Sequence, residues 1–437
     1  MTIDWPAIHR EALDIFVRYL QIDTSNPPGN EKPAARFLGA LCEAEGIETE
    51  YIETAPNREV LVAKLRGDGS KRPIMLCNHT DVVPVEAQYW DMPAFEGVVK
   101  DGRVYGRGAV DMKGCGVMQL IAFVLLKRQG VSLKRDVVLC AVPDEEAGSG
   151  LGMAWLCEHR PDVVDVEFEL SEGGSGVSRF AGKPARMFNI ATNEKFGGGG
   201  LKLTAVGTPG HGSRPHADNS AIHLMRALVK LHDWDRGITY TPDTVAYLER
   251  LADAGLMPAL STDKAAVEEQ IRRSPALYAA FVNTLNVTIV KSGIKVNVIP
   301  AKSEAFCDCR LLPGKDPEEW RSEVEAYIDD PRIKVELTRV VASGLPQPAN
   351  WDTELFWTIN DVIKEAMEDA VVVPAMTVGA TDNRFLRARG IPAYGFIPCL
   401  LSPEESAGFH GNNEFLTIDN LNMGCELMFE VVRRMCV

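Results

Sequence analysis

Val137-Val138-Leu139-Cys140-Ala141-Val142-Pro143-Asp144-Glu145-Glu146 is a short apolar run that ends abruptly in acid. A run this brief and this apolar is the kind of strand buried on both faces of an α/β sheet. Two others follow the same plan. Residues 73–77 lead into His79-Thr80-Asp81, and residues 166–170 deliver Ser171-Glu172-Gly173-Gly174. Ligands in open α/β sheets bind outside the carboxyl ends of the strands. Unrelated solvated charges would not collect there three times.

Upstream, residues 4–20 carry Ala7, Ile8, Ala12, Ile15, Phe16 and Tyr19 at helical spacing. Asn26-Pro27-Pro28-Gly29-Asn30 reads as a loop, 31–45 as a helix ended by Gly46, and 47–52 and 60–65 as strands. Gly106-Arg107-Gly108-Ala109-Val110-Asp111-Met112-Lys113-Gly114 precedes a buried helix around 117–126. Past residue 195 the texture changes. Gly197-Gly198-Gly199-Gly200 is hinge-like. A strand at 201–206, a helix at 221–232, strands at 287–290 and 305–310, a helix at 317–328 and a strand at 333–340 follow the ferredoxin-like order. Residues 240–283 read as irregular helix. The α/β pattern resumes with a helix at 352–366, segments at 371–376 and 391–397, and a last helix at 420–435. The reading is an α/β protein with a discontinuous catalytic domain, 1–195 and 343–437, and an inserted α+β domain, 196–342.

With 46 basic and 61 acidic residues among 437, the formal charge is −15. That speaks against nucleic acid or an anionic membrane as partner. No basic stretch followed by an apolar core opens the chain, and no apolar run of about 18 residues suggests a membrane span. The expectation is a cytoplasmic protein whose ten cysteines are reduced and buried. Cys307 and Cys309 share a strand face and are read as core residues, not metal ligands.

Two histidines and several carboxylates form a ligand set for one or two Zn²⁺ with a position left open for water. His79 is a candidate ligand whose ring Asp81 orients by accepting its other N–H; the plain alternative is a surface turn. Asp111 is a candidate bridge between two metals, or else a helix cap. In the vicinal pair, Glu146 binds metal and Glu145 stays free as general base; the alternative is two solvated acids. Glu172 and His410 complete the second set. His9, His159, His216, His223 and His232 are read as structural.

Several stretches together resemble the M20 metallopeptidase and aminoacylase family. They are His79-Thr80-Asp81-Val82-Val83-Pro84, the Gly106–Gly114 segment, Asp144-Glu145-Glu146 and Gly210-His211-Gly212-Ser213. Asn297-Val298-Ile299-Pro300, Asp308-Cys309-Arg310 with Pro313-Gly314, and Gly379-Ala380-Thr381-Asp382 belong to the same set. The resemblance covers nearly the whole chain. It implies a zinc-peptidase-like catalytic domain with a central mixed sheet and an inserted ferredoxin-like lid and dimerisation domain. It implies that His79, Asp111 and Glu172 bind one zinc and that Asp111, Glu146 and His410 bind the other, with cobalt or manganese as substitutes. Glu145 is then the base and Asp81 supports the site from behind. The peptide bond after Asp111 is often cis in the family. His211 would come from the partner of a homodimer to stabilise the oxyanion. Arg310 and Asn297 would grip a free carboxylate. Glu at position 172 resembles the carboxypeptidase, aminoacylase and desuccinylase branches; Asp there resembles the di- and tripeptidases. The substrate implied is an N-acyl amino acid or short peptide, with a dipeptidase needing a free N-terminus as the alternative.

Overall fold

A computed structural model of the chain describes residues 3–338 and 349–437. The expected boundary at 342/343 and the end of the strand expected at 333–340 lie outside the described residues.

Helix α1 (Trp5–Leu20) starts where the Asp4 carboxylate accepts the Ala7 N–H at 3.2 Å, and it buries Ile8, Ala12, Ile15, Phe16, Tyr19 and Leu20. Helix α2 (Lys32–Ala44) and strands β1 (Glu48–Ala55), β2 (Arg58–Leu65) and β3 (Ile74–His79) follow. His79 is thus the last residue of β3 rather than the first beyond it. Helix α3 (Lys113–Gln129) is buried from Lys113 to Leu126, and Gly130 ends it at φ 61°. Strand β4 (Val137–Val142) is buried throughout, as its composition dictates.

The next strand departs from the sequence reading. β5 (Phe168–Phe180) does not stop at Leu170 but runs through Glu172 and folds back on β6 (Lys183–Glu194), a strand the sequence reading misses. Gly173 and Gly174 look like a terminator, yet they serve a close approach. A Cβ on Gly174 would lie 2.3 Å from the Asn189 carbonyl oxygen. β5 leaves β3 after Leu170, whereas its parallel pairing on the other side continues to Val177. Glu172 therefore sits where two strands part.

The chain then crosses into the inserted unit. Lys195 N–H still donates to Thr377 at 2.9 Å, and Phe196 N–H already donates to Leu311 at 2.7 Å. The Gly197–Gly199 turn is packed rather than free: a Cβ on Gly199 would lie 2.7 Å from Leu311. β7 (Leu201–Val206), α4 (Ser220–His232), α5 (Pro242–Asp253), α6 (Lys264–Arg273), β8 (Thr284–Ser292), β9 (Lys302–Arg310), α7 (Pro317–Ile328) and β10 (Ile333–Leu337) follow. The sheet order is β8-β9-β7-β10, all antiparallel, which is the ferredoxin-like arrangement. Cys307 and Cys309 are buried with Leu203, Leu224 and Trp320 in the core of this unit.

The stretch between α4 and β8 packs against the large sheet. Leu248, Leu251, Val267, Ile271 and Phe281 share a core with Met187 of β6 and with Val373. Arg250 reaches further, donating through Nε to the Val372 carbonyl and through Nη2 to Asn360 Oδ1 at 2.6 Å. α8 (Glu354–Ala366), β11 (Val371–Thr377), β12 (Ala393–Leu401) and α9 (Ile418–Cys436) complete the chain. The large sheet is mixed, in the order β1-β2-β4-β3-β5-β12-β6-β11. Helices α1, α3, α8 and α9 share its main core. No helix among the described residues is long and apolar enough to cross a membrane.

Candidate metal centre

β3, β4 and β5 lie side by side and deliver their polar groups to one edge. Asp111 stands at the centre. Its Oδ1 is 3.0 Å from His79 Nε2 and its Oδ2 is 3.1 Å from His410 Nε2. His79 Nε2 is also 3.5 Å from Glu172 Oε1, and His410 Nε2 is 3.2 Å from Glu146 Oε2. Two trios thus share one carboxylate, which gives one oxygen to each. Donors about 2.0 Å from a tetrahedral zinc stand roughly 3.3 Å apart, so these separations suit an ion in each trio. Glu146 Oε1 is buried with no hydrogen-bond partner among the described residues, a further oxygen open to a metal at the same place. His79, Glu145 and Glu172 bring donor atoms within 4.8 Å of one another, and so do His79, Asp111 and Glu146, so the donors form one continuous cluster.

The fields are those of a charge-dense pocket. Burial works against a charged His79, but Glu172, Asp111 and Asp81 together push its pKa well above the ordinary value. His410, half exposed, is pushed up to about 10 by hydrogen bonds to Asp111 and Glu146. Burial would raise the Asp111 carboxyl, yet the two imidazoles hold it well below the usual carboxylate range. Glu172 is pushed up to about 7 by burial and by Asp111. Glu145 is pushed up too, by burial and then by Glu172.

Local structure explains how each group is held. The peptide bond Asp111–Met112 is cis. Glu414, fully buried, accepts N–H groups from Gly108 at 2.9 Å, Val110 at 2.7 Å and Asp111 at 3.1 Å, and pairs with Arg107 at 2.9 Å. His410 stands at φ 54°, in the left-handed region. Asp81 differs in detail from the sequence reading. Its backbone carbonyl, 2.9 Å away, meets His79 Nδ1, whereas its carboxylate is 3.6 Å from that atom. The carboxylate instead accepts the N–H groups of Glu145 and Glu146, both at 3.1 Å. The reason is geometric: β3 ends at His79, so the carbonyl two residues on curls back under the ring.

Other supports went unseen in the sequence. Asn383 donates to the Glu172 carbonyl at 2.9 Å, and Arg384 donates to Ser149 Oγ at 3.0 Å in the turn that follows Glu146. Glu414 is four residues beyond His410, but no spacing rule marks its role.

His211, Asn297 and Arg310 lie apart from the cluster, in the inserted unit. Gly210–His211 pairs with Val298–Ile299, and Gly212 N–H donates to the Asn297 carbonyl at 2.8 Å, so His211 and Asn297 are neighbours on an exposed ribbon. Arg310 pairs with Asp308 at 3.1 Å. Among the described residues none of the three bonds to the acid cluster.

Comparison with known proteins agrees with this picture. The family model described as Peptidase family M20/M25/M40 matches residues 75–434. Aminoacylase-1A of Rattus norvegicus is 28% identical over 421 residues, covering 95% of this chain and 93% of its own. The N-fatty-acyl-amino acid synthase/hydrolase PM20D1 of Homo sapiens is 29% identical over 449 residues, covering 97% and 87%. In fold, the chain is similar to the M20 family metallo-carboxypeptidase Sso-CP2 from Sulfolobus solfataricus, with a TM-score of 0.69, 19% identity and coverage of 97% and 98%. The chain therefore belongs to peptidase family M20/M25/M40, whose members are hydrolases of amide and peptide bonds.

Proposed function

We propose that the protein is a dinuclear zinc amidohydrolase that releases an amino acid with a free carboxylate from an N-acyl amino acid or short peptide. The observation that carries this is the split of Asp111 between His79 and His410, one oxygen to each. His79, Asp111 and Glu172 would hold one ion, and Asp111, Glu146 and His410 the other. Zinc, when bound, polarises the amide carbonyl and acidifies water. Glu145, the acid beside the cluster that both trios leave free, takes a proton from water and returns it to the leaving amine. Asp81 fixes the turn that carries Glu145 and Glu146. Arg310 and Asn297 receive the substrate carboxylate, and His211 donates to the oxyanion. The names of the aminoacylase relatives favour an N-acyl amino acid over an unblocked dipeptide.

The reading includes the domain division 1–195 with 343–437 against 196–342. The handover of backbone pairing at Lys195 and Phe196 supports its first boundary. It also includes a homodimer formed through the inserted unit. Ile222, Met225 and Val229 form one exposed apolar face of α4, beside exposed Val287, Ile289 and Val290 on the edge strand β8.

Metal analysis with a hydrolysis panel of N-acetyl amino acids, N-acylated dipeptides and unblocked dipeptides tests the reading. About two zinc per chain with cleavage of blocked substrates supports it. Cleavage of unblocked dipeptides alone overturns it in favour of a dipeptidase.

A further inference from the structure

The loop Asn26-Pro27-Pro28-Gly29 and the side chain of Arg58 have no part in the chemistry above, yet they lie directly behind it. Arg58 is only 8% exposed. Its Nη1 donates to Glu31 Oε1 and to Asp144 Oδ1, both at 2.9 Å. Its Nη2 donates to Asn26 Oδ1 at 3.0 Å and to the Pro28 carbonyl at 2.9 Å. One planar fork thus gathers acceptors from the 26–31 segment and from the acidic turn after β4. Gly29, at φ 81°, makes room for it: a Cβ there would lie 2.0 Å from the guanidinium carbon.

The contacts continue toward the metal centre. Asn26, oriented by Arg58 through its amide oxygen, donates its amide N–H to Asp81 Oδ2 at 2.9 Å and to Asp144 Oδ1 at 3.2 Å. Asp81 then accepts the N–H groups of Glu145 and Glu146. Asp144 stands at φ 75°, a conformation costly for a non-glycine residue, and its Oδ2 takes the Leu151 N–H at 2.9 Å. The turn that carries the base and one ligand is therefore held from two sides, and both holds converge on Arg58. Glu31, Asp81 and Asp144 would otherwise crowd three carboxylates behind the site with no cation between them.

We propose that Arg58 is a positioning residue: through Asn26, Asp81 and Asp144 it fixes Glu145 and Glu146 relative to the metal pair. The inference rests on the metal reading above. A lysine could match one or two of the four acceptors, but not the fork.

The test uses the full chain carrying Arg58→Lys and, separately, Asn26→Ala, which leaves the Arg58 ion pairs in place. Zinc affinity is read by chelator competition, kcat and KM on an N-acetyl amino acid that the wild type cleaves, and the folded fraction by melting. The expected result is a loss of about 10- to 100-fold in kcat or in affinity for one zinc, in chains that remain folded, with KM within about threefold. Wild-type kcat and zinc affinity in both variants would overturn the proposal. So would losses fully accounted for by the unfolded fraction. Failure of the wild type to cleave any panel member would instead sink the functional reading. Zinc affinity alone would then decide on Arg58: about tenfold weakening supports its role, and no change refutes it.

Discussion

Glu414 accepts the backbone N–H of Asp111 at 3.1 Å, so the carboxylate shared by the two trios is held through its main chain. The same side chain neutralises Arg107 and satisfies two more N–H groups of the glycine-rich loop. Glu414→Ala leaves a buried guanidinium and these donors without an acceptor. The expected cost is about 3–5 kcal/mol in chemical denaturation, together with loss of zinc. Glu414→Gln keeps an acceptor and should cost less. Equal stability of the alanine variant and the wild type would show that the loop stands without it.

Glu145 and Glu146 are adjacent but should separate cleanly by mutation. Glu145→Gln is expected to keep two zinc per chain while kcat falls by about 10²–10⁴. Glu146→Gln should lose one zinc. Metal analysis beside turnover distinguishes the two.

His211→Ala should lower kcat by about 10²–10³ with no change in metal content. If His211 serves the partner's site, each mixed dimer with Glu145→Gln holds one complete site. Random mixing of two inactive variants should then restore about one quarter of wild-type activity. No recovery in the mixture would place His211 in its own subunit's site or outside catalysis.

Charge on the apolar face of α4 should break the proposed dimer. Met225→Glu with Val229→Glu is expected to weaken association by about 100-fold or more, read by sedimentation. An unchanged mass would remove α4 from the interface.

Glu169 is fully buried, and burial, aided by Asp382, pushes its pKa up to about 8 from 4.5. Between those values the folded chain holds more protons than the unfolded chain. The contribution of Glu169 to stability is therefore complete below about 4.5 and disappears as the pH rises through about 8. Glu169→Gln should flatten this dependence, gaining about 2–4 °C on the wild type at pH 8 relative to pH 5 in thermal melts. An equal difference at both pH values would contradict it.

What the sequence makes legible is what short-range pattern encodes. β4 is uniformly apolar over its whole length, and the inserted unit alternates helix and strand in a recognisable order, so both can be read directly. β6 contains Lys183-Pro184-Ala185-Arg186 and no alternation, because its position between β12 and β11 is set by tertiary pairing rather than by local preference. Glu172 reads as a strand-end residue because Gly173-Gly174 mimic a turn, whereas they admit β6 at close range. The histidines and acids of the cluster stand out because their residue types are those that ligate metals and move protons. Their supports do not. Glu414 lies 303 residues from Asp111, and Asn26 lies 55 from Asp81, so nothing local marks them.

The stretch between α4 and β8 has a further consequence, for behaviour in concentrated solution. β11 is the last strand of the large sheet, and an open last strand is a template for pairing with another molecule. Here Arg250 occupies the Val372 carbonyl and α5 packs on the same strand. The opposite margin, β1, exposes Glu48, Glu50 and Glu53, ion-paired with Arg66, Arg160 and Lys32, and charged side chains of this kind blunt an edge against strand addition. Both margins are thereby closed to strand addition, so a chain trimmed of residues 240–283 should aggregate, read by light scattering, at concentrations where the full chain stays dispersed.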